Sequence, residues 1–386
     1  MEKTRSKALI GKLAALALLG CSISLAEAAA QESAAVHAPA SERQEITFTS
    51  WTGPYMRSQM LGFVRPYEEI TGARVHVEHY AGGINAIRDQ VESANVVWDV
   101  VDLTQADSLR ACNEGLLEHL EDMELPDGAD GTNFRDDFVE GALNPCGIGV
   151  IVWATVFAYD KGAFGNNPPS SIADFFDTKT YPGPRAIRND PTVIMEWALM
   201  ADGVKREDVY PLLETPKGVE RASAKMDAIK PGLLLWENGR EPVRLLRSGE
   251  VVMSSVWATT GAVASREEGA NFSVVWDGRV IELDLFGIPK GSRNKDAALD
   301  FIRFASSSES LAKMVGYLPN GPTRQSSLKL LSEDVLLQLP NGPAYEEKIS
   351  IRSDAEWWSK NHVALEDAFD AWISRATRQG ASGTVR

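Results

Sequence analysis

The chain has 386 residues, with 39 Lys or Arg against 54 Asp or Glu, so its formal net charge is −15. Hydrophobic residues make up 44 % and charged residues 24 %, which is typical of a soluble globular protein and excludes wholesale disorder. The length exceeds the roughly 250–300 residues at which one hydrophobic core stops growing, so two lobes are expected. The acidic balance argues against nucleic-acid binding, because phosphate contacts need clustered Lys and Arg.

The first residues have the pattern of an export signal. Four basic side chains form its head: Lys3, Arg5, Lys7 and Lys12. A short apolar stretch and a run of small residues follow, which predicts a signal peptide over residues 1–28, cleaved after Ala28 or Ala30, and an exported, periplasmic protein. An alternative is lipid attachment at Cys21, which ends a Leu-Leu-Gly-Cys box like that of bacterial lipoproteins. Residues 29–44 are polar and small, and they predict a flexible leader.

Cleavage of the signal leaves two cysteines, Cys112 and Cys146. In an oxidising compartment a lone pair of cysteines is most simply a disulfide, and the alternative is two buried thiols. Closing a loop of this length stabilises a fold by roughly 3–4 kcal/mol on the chain-entropy model. The sequence offers no further ligands at metal-binding spacing, so it predicts neither a metal site nor a cofactor.

Strands and helices alternate at the start of the mature chain. In order, the pattern predicts a strand over 45–51, a helix over 55–71, a strand over 74–80, a helix over 84–94, a strand over 96–101 and a helix over 107–114. This alternation predicts a parallel sheet with helices on both faces.

Two long apolar runs, Gly147–Asp160 and residues 280–289, are long enough to pass from one lobe to another. Between them the pattern predicts helices over 193–202, 217–229 and 242–248 and strands over 185–188, 233–236 and 251–257, with a further element of unassigned type over 171–176. Helices over 295–306, 309–315 and 362–374 follow. The predicted fold is α/β with two lobes, each a mixed, mostly parallel sheet flanked by helices, and with two crossover strands as a hinge. Lobe I would comprise residues 45–155 and 284–325, and lobe II residues 156–283 and 326–386.

Aromatic and acidic residues at strand ends suggest a pocket for a cation. An ammonium ligand that leaves water needs a carboxylate and aromatic faces in place of its hydration shell. Trp51, Trp236 and Trp257 follow or end predicted strands, where ligands bind in open α/β sheets. Asp284 stands in an apolar run and needs a partner, either a ligand amine or an internal donor, and Glu282 shares its face by strand alternation. Four other tryptophans lie inside apolar runs and are expected in the core: Trp98, Trp153, Trp197 and Trp276.

Arg188 and Asp190 leave a second ligand class open. The Arg188 guanidinium could hold a ligand carboxylate in a two-point contact, so that a zwitterion would be bound by Arg188 at one end and Asp284 at the other. Asp190 precedes a proline at a predicted helix start, where a carboxylate either contacts the ligand or caps backbone amides.

A series of short motifs carries a family resemblance. They include Ser50-Trp51-Thr52, residues 98–101, residues 114–117, residues 196–199 with 201–204, residues 248–251, residues 287–291 and residues 316–319. In order and spacing they resemble the spermidine/putrescine-binding group of periplasmic substrate-binding proteins of ABC importers, over about residues 45–375. Three positions depart from the polyamine-binding pattern: Val193, Glu282 and Trp358.

The resemblance implies a type II periplasmic-binding-protein fold that closes over its ligand and delivers it to an inner-membrane ABC permease. The positions that match ligand-binding positions of the family are Trp51, Thr104, Asp190, Trp257, Asp284 and Tyr317. We therefore expect a monomeric binding protein, not an enzyme, for a small polyamine-like amine. The alternative is the same fold binding a zwitterionic amino acid or another amino-carboxylate, and a role in sensing instead of transport also stays open.

Overall fold

The computed structural model describes residues 44–267, 269–340, 342, 345 and 350–381, with side chains up to residue 374. The predicted signal peptide, the leader up to residue 43 and Cys21 lie outside the described residues. Within the described part of the chain, no helix is long and apolar enough to cross a membrane.

The strands form one mixed sheet. They are β1 (Glu45–Ser50), β2 (Arg74–His79), β3 (Val100–Thr104), β4 (Leu143–Asn144), β5 (Gly147–Asp160), β6 (Arg185–Arg188), β7 (Leu234–Trp236), β8 (Met253–Trp257), β9 (Phe272–Gly287), β10 (Gly321–Pro322) and β11 (Ser350–Arg352). The main order is β2-β1-β3-β9-β5-β8-β6-β7, while β4 and β10 pair with β5, and β11 pairs with β9.

The helices lie between these strands. They are α1 (Pro54–Gln59), continued by the π-helical turn Met60–Val64 into α2 (Arg65–Thr71), then α3 (Asn85–Glu92), α4 (Gln105–Asn113), α5 (Phe134–Asp137), α6 (Ile172–Phe176), α7 (Ile194–Ala201), α8 (Val209–Leu213), α9 (Pro216–Met226), α10 (Glu241–Ser248), α11 (Ala258–Ser265), α12 (Lys295–Ala305), α13 (Ser308–Tyr317), α14 (Gln325–Leu328), α15 (Glu333–Leu336) and α16 (Ala355–Ala381). Single 3₁₀ turns cover Arg206–Asp208 and Asp227–Ile229.

Both ends of the sheet are parallel, as the alternation of strands and helices predicts. β1 pairs in parallel with β2 and β3, and β6 pairs in parallel with β7 and β8. In the middle, β9 runs antiparallel to β3 and β5, and β5 runs antiparallel to β8. The two long apolar runs of the sequence are therefore neighbouring central strands.

Buried side chains divide into groups that meet along β5 and β9. One large cluster draws on residues 46–152 and 283–339, and a second draws on residues 157–280 and 351–372. The predicted lobe II includes residues 326–386, but Leu339 is buried in the first cluster. The packing thus associates residues 326–339 with the first half of the chain.

Two elements differ from the sequence prediction in ways that matter for the site. The third strand was expected to end at residue 101 but continues to Thr104, because the polar Asp102 is buried and hydrogen-bonded by Ser50 and Gln59 instead of ending the strand. Helix α11 was not predicted, and it begins directly after Trp257.

The expected disulfide between Cys112 and Cys146 is present. It joins the end of α4 to the chain just before β5 across 34 residues, a separation for which the chain-entropy model gives a stabilisation of roughly 3–4 kcal/mol. His119 lies with its ring nitrogen within 4.8 Å of the two sulfur atoms, which are already bonded to each other.

Candidate ligand-binding site

A cavity lies where the ends of β1, β3, β6 and β8 approach the central strands β5 and β9. The space free of protein atoms there is about 490 Å³, a figure that includes space open to solvent. Its lining consists of Trp51, Tyr55, Thr104, Ile151, Trp153, Ala154, Arg188, Trp257, Ala258, Thr259, Thr260, Asp284, Leu318 and Asn320.

Three tryptophans form the aromatic wall of the cavity. The Trp257 ring is edge-on to Trp51 and to Trp153, at 6.4 Å between centroids in both pairs. Local sequence explains two of these positions: Trp51 follows β1 just before Gly53 and Pro54 start α1, and Trp257 links β8 to α11. The Nε1 donors of Trp51 and Trp257 are buried and have no hydrogen-bond partner among the described residues. A ligand with acceptor oxygens would satisfy them.

Asp284 is the acid of the cavity. It lies on β9, opposite Thr104 of β3 and Ile151 of β5, and is 4 % exposed. Its Oδ1 accepts a hydrogen bond of 2.8 Å from Nε1 of Trp153, and it forms no ion pair with a described residue. Burial raises the pKa of Asp284 well above its ordinary value, and the nearby carboxyl of Asp102 adds to this shift. A cation in the cavity would reverse that shift by favouring the ionised form.

Asp102 is a second buried acid next to the site. In the antiparallel pairing of β3 with β9, Asp102 is opposite Phe286 and Thr104 is opposite Asp284. Asp102 and Asp284 are therefore diagonal neighbours on the same face of the two strands. Asp102 Oδ2 accepts hydrogen bonds of 2.7 Å from Ser50 Oγ and from Gln59 Nε2. Burial raises the pKa of Asp102 to about 7. Two acids in one buried region therefore favour a state that retains at least one proton.

Arg188 supplies a positive charge to the same cavity. It ends β6 and is half-buried, and its side chain makes no hydrogen bond or ion pair with any residue that the structure describes. Its charge lowers the pKa of Asp190 and acts in the same direction on Glu282 and Asp284. Arg188 also lines a smaller neighbouring cavity with Trp236 and Ser255. A guanidinium without a bonded partner beside a cavity is suited to a ligand carboxylate.

Of the predicted ligand-binding residues, Trp51, Thr104, Arg188, Trp257 and Asp284 line the cavity. Thr104 also caps α4, since its Oγ1 accepts a hydrogen bond from the Asp107 amide at 3.2 Å.

Four predicted residues do not line it: Asp190, Trp236, Glu282 and Tyr317. Asp190 accepts a 2.8 Å hydrogen bond from the Thr192 amide and faces His362 at 3.8 Å. Burial opposes ionisation of Asp190, but Arg188 and His362 hold its pKa below its usual range. Trp236 is buried behind Trp257, with its Nε1 donating to Ser255 Oγ. Tyr317 is 53 % exposed at the end of α13.

Glu282 lies on the face of β9 that carries Asp284, as strand alternation predicts, and it is opposite Trp153 of β5. Burial raises the pKa of Glu282 to about 8. The raised pKa favours the protonated form of Glu282 near neutral pH, and Glu282 is not part of the cavity lining.

Trp153 was expected in the core, and this prediction is wrong: the side chain is half-buried, lines the cavity and holds Asp284. The indole donor was the missed signal, since a tryptophan N–H inside an apolar strand needs an acceptor. Tyr55, Thr259 and Asn320 were missed because each comes from a helix or loop that reaches the cavity only through the tertiary fold. Trp98 and Trp197 are buried as expected, while Trp276 is half-buried and stacked on Tyr345.

Comparison with known proteins identifies the class. Residues 62–338 match the family model described as bacterial extracellular solute-binding protein, and the chain belongs to this family. It is thus a substrate-binding protein of ABC transport and not an enzyme, as the sequence predicts. The structural similarity also confirms the predicted α/β, two-lobed fold class. Proteins of this class bind a small ligand for delivery to an ABC permease.

Within this class, the chain is more similar to some proteins of known ligand than to others. The chain is 36 % identical to a γ-aminobutyric acid (GABA)-binding protein of Pseudomonas aeruginosa over 86 % of this chain and 92 % of the relative. The structure is similar to that of the binding protein MotA from A. tumefaciens B6 in complex with glucopine (26 % identity, TM-score 0.78, 86 % and 100 % of the chains). It is also similar to a GABA receptor (26 % identity, TM-score 0.74, 86 % and 98 %). The spermidine/putrescine-binding protein of Escherichia coli is 24 % identical over 77 % of this chain and 83 % of its own, so the polyamine resemblance is the more distant one.

Proposed function

We propose that this protein captures a small zwitterionic amino acid with well-separated charges, of the GABA type, in the periplasm and delivers it to an inner-membrane ABC permease. The observation that carries the proposal is that Arg188 and Asp284 line one cavity. A ligand with an ammonium group at one end and a carboxylate at the other fits this pair of charges.

The same pair of charges disfavours a polyamine. A diamine carries a positive charge at both ends, and the guanidinium of Arg188 is itself a cation. Within the cavity Arg188 is the only cationic side chain among the described residues, and Asp284 the only acidic one. A second ammonium near Arg188 would therefore lose its hydration without gaining a carboxylate.

Contacts of the ligand with aromatic rings and with desolvated charges would supply the free energy needed for micromolar binding. Micromolar binding requires about 8 kcal/mol of net free energy. Cation–π contact contributes about 0.5–2 kcal/mol for each well-placed ring, and Trp51, Trp153 and Trp257 all border the cavity with Asp284. Charge-assisted hydrogen bonds to Asp284 and Arg188 would add to this once water is excluded.

We further propose that the site is shared by two lobes, the first including residues 45–155 and 284–325 and the second residues 156–283. Trp51 and Asp284 then belong to the first lobe, and Arg188 and Trp257 to the second. Ligand binding would draw the lobes together, because each end of the zwitterion is held by a different lobe. The closed, liganded form would present the surface that the permease recognises.

The relatives support this choice of ligand. The GABA-binding protein of P. aeruginosa covers most of the chain at higher identity than the E. coli spermidine/putrescine-binding protein does. Export by a signal peptide over residues 1–28 and function as a monomer are parts of the same proposal.

Calorimetric titration of the purified mature protein with GABA, glutamate, putrescine and spermidine tests the function. We expect GABA to bind with a Kd in the micromolar range or below and putrescine to bind at least about 100-fold more weakly, a difference of about 2.7 kcal/mol. Preferential binding of putrescine or spermidine would contradict the proposal and favour the polyamine assignment.

Binding of an ammonium ligand is expected to release a proton. In the empty cavity burial raises the pKa of Asp284, with Asp102, Tyr55, Glu282 and Arg188 as its ionisable neighbours. In the complex the ammonium favours the ionised carboxylate, so the liganded protein binds fewer protons than the empty protein. The Kd should then fall by up to about tenfold for each unit that the pH rises, as long as the pH remains below the pKa of the empty site.

Titrations between pH 5 and 7, in buffers that differ in ionisation enthalpy, measure both the Kd and the number of protons released. Asp284→Asn is the control, because an amide has no proton to release and its weaker binding should depend less on pH. A wild-type Kd that is constant over this range, with no proton released, would contradict the expectation that ligand binding ionises Asp284.

A further inference from the structure

Two glycines, Gly82 and Gly239, lie directly against the rings of two cavity tryptophans. A Cβ atom at Gly82 would lie 2.1 Å from Cη2 of Trp51 and 2.7 Å from its Cζ3. A Cβ atom at Gly239 would lie 2.3 Å from both Cε3 and Cζ3 of Trp257. Carbon atoms in contact are normally about 3.5–4.0 Å apart, so neither ring leaves room for a side chain between itself and the main chain.

Both rings are confined by other aromatic side chains. Trp51 packs beside Tyr80 at 5.4 Å between centroids, and Trp257 lies edge-on to Trp236 at 5.9 Å. The two tryptophans also contact each other, at 6.4 Å. The empty space that both rings border is the ligand cavity. A group added behind either ring would therefore displace it into the space that the ligand needs.

We infer that Gly82 and Gly239 are positioning residues that set the width of the ligand cavity. Because neither has a side chain, the rings of Trp51 and Trp257 can pack directly against the main chain at these positions. The inference rests on the proposed function, because it takes the cavity between these rings as the ligand site. Neither glycine lines that cavity, so each acts through its tryptophan and not by contact with the ligand.

The chain offers a matched control for each glycine. Gly82 and its neighbour Gly83 both have positive φ angles, 94° and 76°, but no atom of the described residues lies within 4 Å of a Cβ at Gly83. Gly83→Ala thus introduces the same kind of backbone strain as Gly82→Ala without touching a ring. Gly239 is not in the positive-φ region, so Gly239→Ala adds no strain of that kind, and the three atoms nearest to the added Cβ all belong to the Trp257 ring. Gly316 in α13 has no positive φ, and a Cβ added there meets no described residue within 4 Å, so Gly316 is the control for Gly239.

The first measurement is the Kd for GABA by calorimetry in these four alanine variants. Overpacking behind the rings should raise the Kd about tenfold or more in Gly82→Ala and Gly239→Ala. Gly83→Ala and Gly316→Ala should stay within about twofold of the wild type. Equal affinity in all four variants would overturn the inference.

A double variant separates positioning from a general loss of structure. Phenylalanine lacks the outer ring atoms that a Cβ at Gly82 would meet, so Gly82→Ala should weaken binding little further in a Trp51→Phe background. An equal loss of affinity in both backgrounds would mean that Gly82 is needed for the fold and does not act by positioning the Trp51 ring.

A crystal structure of ligand-free Gly239→Ala tests the geometry without any ligand. The Trp257 ring should move by about 1 Å towards the cavity to restore normal contact distance. An unmoved ring would contradict the inference. Because this result needs no ligand, failure of the wild type to bind GABA would count against the proposed function and not against the role of the glycines.

Discussion

Asp284→Asn is expected to raise the Kd for GABA about 100-fold, equivalent to about 2.7 kcal/mol, while the protein still folds. The substitution keeps the shape of the side chain, and the amide oxygen can still accept the hydrogen bond from Trp153. It removes the negative charge that would offset the ligand ammonium in a buried site. Calorimetry on the purified variant measures the loss.

The stability of the empty Asp284→Asn protein should be equal to or higher than that of the wild type. Burial raises the pKa of Asp284, so the folded wild type binds this proton more tightly than the unfolded chain. The corresponding stabilisation is complete below the unfolded pKa, about 3.9, and is lost as the pH rises through the higher pKa of the folded state. Asparagine has no such loss, so thermal unfolding at pH 7 should occur at the same or a higher temperature.

The matched control for Asp284→Asn is Glu282→Gln, on the same strand face but outside the cavity. Burial already favours the neutral form of Glu282, whose pKa is raised to about 8, so the amide should change GABA binding little at pH 7. An Asp284→Asn variant that binds GABA as tightly as the wild type would show that Asp284 does not hold the ammonium.

Arg188→Ala is expected to reverse the ligand preference. Without the guanidinium the ligand carboxylate enters a partly buried region with no cation to receive it, which should weaken GABA binding by about 2–5 kcal/mol. Putrescine should instead bind more tightly than it does to the wild type, because the repulsion of its second ammonium is gone. Titration of both ligands into wild type and variant measures the ratio of the two Kd values.

Arg221→Ala is the control for Arg188→Ala, since Arg221 is an exposed arginine that pairs with Asp202 away from the cavity. It should leave both Kd values unchanged. If Arg188→Ala weakens the binding of GABA and of putrescine equally, Arg188 supports the structure of the site and does not bind the ligand carboxylate.

Much of the fold follows from local sequence patterns. Alternating and continuous apolar runs place the strands around residues 45–50, 74–79 and 185–188 and the crossover strand Gly147–Asp160. Strand β9 begins at Phe272, earlier than predicted, because residues 272–275 are paired with the end of β5 beyond a register shift. Such pairing depends on a strand distant in sequence and leaves no periodic signal of its own.

The candidate site was predictable where a residue type conflicts with its surroundings. Asp284 within an apolar run and tryptophans at strand ends are such conflicts: Asp284, Trp51 and Trp257 line the cavity, whereas Trp236 is buried outside it. Asp102 also conflicts with its strand, but a polar residue after an apolar run predicts the end of a strand, and the partners that allow its burial, Ser50 and Gln59, lie about 50 residues earlier. Tyr317 was named by family resemblance alone, and the structure leaves it half exposed outside the cavity.

The glycines behind Trp51 and Trp257 illustrate what sequence patterns omit. Gly82 and Gly83 are indistinguishable in the sequence, yet only Gly82 lies against a ring. The choice of ligand could not be predicted either, because Arg188 and Asp284 are far apart in the chain. Their shared cavity depends on the sheet order, in which only β5 and β8 separate β6 from β9. The sequence allowed both a polyamine and a zwitterion, and joint placement of the two charges favours the zwitterion.

A crystal structure of the protein with GABA tests the central claim most directly. We predict the ligand nitrogen at hydrogen-bonding distance, about 2.7–3.0 Å, from a carboxylate oxygen of Asp284, and the ligand carboxylate at similar distance from the Arg188 guanidinium. A ligand bound in the reverse orientation, or bound away from the cavity between Trp51 and Trp257, would contradict it.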